Sequence, residues 1–321
     1  MPRAFAPPRL TPGAYRTITF VAAVLLAVII VTGGAVRLSD SGLGCPQWPN
    51  CAEGSLTPRG ASDANAMIEF VNRVFTGLVS IAVIVAVLGS LLRTPRRRDL
   101  VWLSFGLVAG VAAQAVLGGL TVLFHLAPQF VMAHFLVSLV LLTNALVLHR
   151  RAGLPDEPYQ PLVPPALVAL GRVLLVAATV VVVTGTVLTG SGPHSGGAPE
   201  DEVERFNLVI PEVARVHGAS VIVFLTLVLV TLAFLRRARA PLSVQQRLGV
   251  LLLAVVAQAG VGYAQYFNDI PALLVGIHIA GATAVWAAVV AFYLGLFAPA
   301  ARVPGVAGAR RELAPAGTGG S

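Results

Sequence analysis

The stretch Leu100–His149, LVWLSFGLVAGVAAQAVLGGLTVLFHLAPQFVMAHFLVSLVLLTNALVLH, contains no Asp, Glu, Lys or Arg. It divides into two apolar runs, 100–123 and 129–149, around a short break near His125. A bilayer core takes about 20 apolar residues per helix. Each run therefore predicts one membrane-spanning helix, and the pair predicts a hairpin. Lipid offers no partner to backbone N–H and C=O groups, so only helices and closed barrels span it. The runs lack the alternation of barrel strands, which leaves helices.

Six more runs lie outward of this hairpin, near 17–37, 66–92, 166–190, 209–235, 247–267 and 272–297. The expected fold is an all-α integral membrane protein with eight transmembrane helices. Composition agrees, with 56% hydrophobic and 11% charged residues among 321, where a soluble domain carries about 25% charged residues. An ordinary cytosolic enzyme, a disordered protein and a secreted disulfide scaffold are excluded. The first run is too long for a signal-peptide core and no small-residue cleavage site follows it, so it reads as a retained helix. The formal net charge of +8 does not read as nucleic-acid binding, because the arginines sit between apolar runs. All 22 basic residues are Arg, which with the abundant Ala, Gly and Pro points to a GC-rich bacterial genome.

Arginine sets the orientation, because cytoplasmic loops are enriched in basic residues. Arg3, Arg9 and Arg16 precede the first span. Arg93, Arg96, Arg97 and Arg98 follow the second, and Arg150 and Arg151 follow the fourth. Arg236, Arg237, Arg239 and Arg247 follow the sixth, and Arg302, Arg310 and Arg311 the eighth. Eight spans put all of these on one side. Asp40, Glu53, Asp63, Glu200, Asp201, Glu202, Glu204 and Asp269 fall on the other. Both termini are therefore expected in the cytoplasm. The expected divisions are a tail 1–16, a four-helix half 17–150 containing a cysteine loop 38–65, a linker 151–165, a second half 166–297 and a disordered tail 298–321.

The two halves repeat. Ala113-Gln114-Ala115 matches Ala257-Gln258-Ala259 at an offset of 144, where Gly118 also meets Gly262 and His134 meets His278. At offset 145, Asn72 meets His217. Val31-Thr32-Gly33 separately resembles Val183-Thr184-Gly185. The reading is a parallel repeat of tandem four-helix bundles.

Asn72, His134, His217 and His278 lie 5 to 8 residues inside their helices from the acidic side, a depth of about 8–12 Å at 1.5 Å per residue. Ionisable groups at such depth usually face the bundle interior. Histidine is a common axial ligand of haem iron, and His217 and His278 form the natural pair around one porphyrin. Gly118, Gly119, Gly260 and Gly262 give a flat ring room. The first half offers His134 alone, since Asn72 is a poor iron ligand. The alternative is that these histidines bond neighbouring helices. His149 reads as an interfacial anchor, while His125 and His194 read as solvent-exposed. Glu212 caps helix six or faces solvent. Glu69 and Arg73 stand at i,i+4, either as an intrahelical ion pair or with Glu69 as a proton acceptor beside the open iron face. Arg37, Arg73 and Arg215, at outer helix ends, either contact haem propionates or snorkel to headgroups.

The only cysteines, Cys45 and Cys51, lie in the first acidic-side loop, where two prolines and adjacent glycines favour a tight turn. A disulfide is expected in that compartment, either bracing the loop or exchanging with thiols.

Ser41-Gly42-Leu43-Gly44-Cys45-Pro46-Gln47-Trp48-Pro49-Asn50-Cys51 resembles the first-loop signature of haem A synthases. Ile68-Glu69-Phe70-Val71-Asn72-Arg73 resembles their Glu-x-x-His-Arg element, with Asn72 standing where the family has His. His134, His217 and His278 fall where the family has its other haem histidines. The resemblance covers roughly residues 17–297. It implies an oxidoreductase of the bacterial plasma membrane that converts haem O to haem A by oxidising the C8 methyl to a formyl group, through hydroxylated intermediates. It also implies haem b on His217 and His278, substrate haem O in the first half and Glu69 as the essential carboxylate. The implied partners are membrane lipid, a haem O synthase, cytochrome oxidase assembly and an unidentified electron donor or acceptor. Small residues on helix faces allow a homo-oligomer without specifying one. Against this stands a non-enzymatic haem b electron carrier, in which the cysteine loop and Glu69 go unused, or a small-molecule transporter, which leaves the histidine layer unexplained.

Overall fold

The computed structural model describes residues 9–60, 62–199 and 201–300. Arg3, Glu200, Arg302, Arg310 and Arg311 lie outside the described residues, as does most of the expected C-terminal tail. Eight helices follow in order: α1 (Pro12–Leu38), α2 (Ala64–Leu92), α3 (Arg98–Leu123), α4 (Pro128–Ala152), α5 (Pro165–Ser191), α6 (Ile210–Arg237), α7 (Leu242–Phe267) and α8 (Ala272–Gly295). Each is long and apolar enough to cross a bilayer. The protein is a multi-pass membrane protein. Its outward side chains fit lipid: Trp102, Val140, Leu253 and Leu273 are all largely exposed.

Helix packing closes two rings. In the first, α1 contacts α2 and α4, α2 contacts α3, and α3 contacts α4. In the second, α5 contacts α6 and α8, α6 contacts α7, and α7 contacts α8. Each ring has its own apolar core, one around Leu26, Leu107 and Leu142, the other around Leu174, Phe224 and Leu251. The seam runs through α1, α4, α5 and α8. There Trp286 touches both cores, and its indole N–H lies 2.9 Å from Thr143 Oγ1 on α4.

Two helices start five residues before their apolar runs. α1 begins at Pro12 because Thr11 accepts the Ala14 N–H at 3.2 Å and proline is pre-set for the first helical position. α7 begins at Leu242 rather than 247 because Val244, Leu248 and Leu251 recur at i, i+4 and i+7 and are buried. Ser243, Gln245 and Gln246 dilute the run without breaking that stripe. The expected linker and the start of the expected tail meet. Tyr159–Pro161 (β1) pairs antiparallel with Phe297–Pro299 (β2), and Ala300 N–H donates to Pro158 O at 3.0 Å. Backbone pairing holds residues 298–300, where composition predicts the start of a disordered tail.

The arginine-rich connections meet at one end of the bundle. Leu10 and Leu92 share a backbone bond, Arg97 donates to Arg151 O and Leu154 O, and Arg150 donates to Phe297 O. At the opposite end the Gly42 N–H donates to Gly196 O at 2.7 Å, and His194 Nε2 lies 2.8 Å from Ile270 O.

The hairpin turns carry the repeat into three dimensions. His125 and Leu126 have φ of 49° and 59°, and Asp269 and Ile270 have 59° and 56°. Leu126 N–H donates to Thr121 O at 2.8 Å, and Ile270 N–H to Gln265 O at 2.9 Å. Both are six-to-one caps of the helix just ended, and all four positions obey the offset of 144. Left-handed backbone costs roughly 1–2 kcal/mol at a residue with a side chain. For Leu126, burial against Gly42 and Gly196 offsets it.

Candidate functional site

Asn72, His134, His217 and His278 stand eight, six, seven and six residues from the first residues of α2, α4, α6 and α8. Each half holds its second histidine the same way. Gln114 Nε2 donates to His134 O at 3.1 Å, and Gln258 Nε2 donates to His278 O at 2.7 Å. Glycines make space for the rings. A Cβ on Gly118 would lie 3.5 Å from His134 Cε1, one on Gly262 3.1 Å from His278 Cε1, and one on Gly185 3.0 Å from His217 Cε1. Gly119 is covered by Trp48, and Gly260 stays open.

His217 and His278 face each other with ring centroids 6.5 Å apart and planes inclined by 75°. That gap admits one metal atom bonded at about 2 Å to a nitrogen of each ring. Thr184 Oγ1 lies 3.1 Å from His217 Nδ1, which orients the ring and leaves Nε2 for a ligand. His278 Nδ1 and His134 Nδ1 are buried without a partner. These residues fit a haem between α6 and α8.

Cys45 and Cys51 are joined in a disulfide, and both are buried. The loop around them is clamped by α2. Glu69 Oε2 accepts the Cys45 N–H at 2.7 Å, while Oε1 takes Arg73 Nε at 3.0 Å and Nη2 at 2.5 Å. Arg73 spends its remaining N–H groups on Cys45 O and Asn50 O, each at 2.9 Å, and on Gln47 O at 3.2 Å. The i,i+4 ion pair is therefore present, and it is also the anchor of the cysteine loop. Only 8% of the Glu69 side chain is exposed. Across the loop, a Cβ on Gly119 would lie 2.9 Å from the Trp48 ring. The loop thus covers the outer end of the first half, one helical turn above Asn72.

Gly44 shows how close the docking is. A Cβ there would strike the backbone of Asn65 and Ala66 at the start of α2. Backbone cannot yield as a flexible side chain can. Gly44→Ala is expected to lift the loop, with a cost of about 1–3 kcal/mol or more. Faster reduction of the Cys45–Cys51 disulfide by a water-soluble thiol would report it. Wild-type protection would show that the loop has another way to dock.

The other candidates separate. Arg37 donates to Thr189 O at 2.9 Å and so ties α1 to the end of α5. Arg73 is committed to the clamp, and Arg215 is exposed on α6. His149 contacts Thr19 Oγ1 at 3.3 Å and the Phe20 ring. His194 corrects the expectation of free exposure, since it is half-buried and bonds Ile270 O, joining two outer connections. His125 is exposed, and so is Glu212 in the first turn of α6. The spacing of Glu69 and Arg73 was visible in sequence, but the loop carbonyls that Arg73 binds lie 23 to 28 residues away.

A family model described as COX15-CtaA, cytochrome oxidase assembly protein, matches residues 16–193, more than half of the chain. The chain belongs to this family. The match takes in α1 to α5, with the cysteine loop, Glu69, Asn72 and His134. Among curated relatives, a "Heme A synthase" of Lysinibacillus sphaericus is 35% identical over 130 residues, 40% of this chain and 42% of that protein. One of Exiguobacterium sibiricum is 29% identical over 172 residues, 52% and 56% respectively. One of Shewanella oneidensis is 30% identical over 176 residues, 47% and 52%. The chain spans about half the length of these relatives. For this family member, the histidines of α6 and α8 lie beyond the residues that the family model matches, and the repeat and the geometry support them.

Proposed function

We propose that this chain is a haem A synthase of the bacterial plasma membrane, which oxidises the C8 methyl of haem O to a formyl group to supply terminal cytochrome oxidase. One observation carries the reading. Both halves tether a histidine through a Gln and seat it on a Gly, but a clamped disulfide loop covers only the first half. Two equivalent haem sites would suit an electron carrier. One site under a specialised loop suits an enzyme with a redox half and a reaction half. The names of the relatives support the same activity.

In this reading His217 and His278 hold haem b, which supplies one-electron transfer when bound. His134 holds the substrate haem O. Glu69 has its carboxylate one turn from Asn72, where it can hold a proton near the substrate, and it also fixes the loop. Arg73 positions Glu69. Arg215, free on the α6 surface, and the unpartnered Nε of Arg37 are the side chains left to meet propionates. The arginine-rich end faces the cytoplasm. The outer loop then faces an oxidising compartment, which suits its disulfide. A haem O synthase, cytochrome oxidase assembly and an electron partner complete the pathway.

The test is acid–acetone extraction of haems from a haem-O-producing bacterial host, with and without the chain. A new haem A peak is expected. Only haems B and O, from haem-loaded protein supplied with its native reductant, would favour the electron carrier.

A further inference from the structure

We infer that the iron site of the first half is one-sided: His134 is its only protein ligand, and the space before Asn72 receives a small exchangeable ligand of the water or imidazole type. This rests on the first half being a haem site. It goes beyond that reading in assigning the second face of the iron to something other than the protein.

The two halves supply the comparison. In the second, the His217 ring fills the space before Gly185, and Thr184 Oγ1 holds its Nδ1 at 3.1 Å. In the first, Gly33 stands where Gly185 does in the matched triplet, and nothing lies within 4 Å of a Cβ built on it. Thr32, the counterpart of Thr184, donates only to Ile29 O of its own helix, at 3.3 Å. Asn72 takes the place of His217, and its Oδ1 is buried with no hydrogen-bond partner. Meanwhile His134 keeps the Gln tether and the glycine seat of His278. One face of the site is thus built as in the second half, and the other is left short by one ring.

The chemistry follows from that gap. A neutral amide oxygen is a poor ligand for iron beside an imidazole. A buried carbonyl oxygen without a donor costs about 1–3 kcal/mol. A ligand that binds the iron and carries an O–H or N–H satisfies it. Water does so natively. Free imidazole is a detached copy of the missing ring: one nitrogen can reach the iron while its N–H turns to Asn72 Oδ1 or Thr32 Oγ1, as His217 Nδ1 meets Thr184.

The experiment uses the full chain, purified from a haem-O-producing host, and reads absorption and electron paramagnetic resonance rather than turnover. In ferric wild type, imidazole is expected to convert one haem from high to low spin and leave the other unchanged. After reduction, carbon monoxide is expected at the same haem. His134→Ala should remove the responsive haem alone. Asn72→His should make it low-spin without added ligand and suppress carbon monoxide binding. Two haems that are both low-spin at the outset and both refuse imidazole and carbon monoxide would overturn the inference. Loss of all haem from the doubly substituted chain His217→Ala, His278→Ala, which still elutes as a monodisperse species, would instead overturn the first half as a haem site. The wild-type titration stands even if a variant fails to fold.

Discussion

His278→Ala is expected to abolish the low-spin haem b of the purified protein while leaving the haem-free chain about as stable as wild type. The haem half of this expectation rests on the facing pair of histidines, and the stability half on one further fact. The His278 ring is mostly buried among α6, α7 and α8, yet its Nδ1 has no hydrogen-bond partner. An unsatisfied buried polar group costs about 1–3 kcal/mol. The Nδ1 lies toward Gly262 of α7 and gains nothing there in the haem-free chain, so removing the ring is expected to cost the apoprotein little. Haem content should fall by one equivalent per chain, and the thermal advantage of the loaded protein over the apoprotein should shrink with it, because a ligand stabilises only the state it binds. His217→Ala should remove the same haem. Thr184 Oγ1 would lose His217 but keep bonds to Val181 O and Ser220 Oγ, so the fold should survive this change too. Retention of the low-spin spectrum in both variants would dissolve the pair that stands 6.5 Å apart.

Glu69→Ala is expected to leave haem b in place and stop haem A formation. Two effects are combined in that variant, and a second substitution separates them. Alanine deprives both the Cys45 N–H and the Arg73 guanidinium of their acceptor. Arg73 is a quarter exposed and keeps its loop carbonyls, so the loss should be about 1–3 kcal/mol rather than that of a fully buried lone charge. The loop should loosen, and its disulfide should reduce faster. Glu69→Gln keeps a carbonyl oxygen for the Cys45 N–H but has no charge and no titratable proton. It is expected to retain most of the disulfide protection while turnover falls about 10²-fold or more, the scale of general acid–base catalysis. Near-normal turnover in the Gln variant would limit Glu69 to anchoring the loop.

The sequence by itself determined the number of helices, their order and the repeat. It could do so because lipid lacks partners for polar backbone, so an apolar run without strand alternation crosses it only as a helix of about 20 residues or more. That constraint is local and is written in each apolar run. The Gln114-to-His134 and Gln258-to-His278 spacings were legible for the same reason, since each pair lies on one hairpin whose helices must run antiparallel. Helix ends shifted where polarity misled, as at Leu242, and β1 pairing with β2 could not be read because its strands are 136 residues apart and three residues long.

Only the tertiary structure decided what Arg73 binds and what surrounds Asn72. Both sit on α2, one residue apart, and sequence gives each a helical address but no partner. Arg73 binds carbonyls of a loop that reaches it only when Gly44 lets the chain lie on the start of α2. Asn72 Oδ1 is buried without a hydrogen-bond partner, and nothing comes within 4 Å of a Cβ built on Gly33 of α1. Hydrogen bonds are short and directional, so their partners are fixed by the packing of distant segments rather than by spacing along one helix.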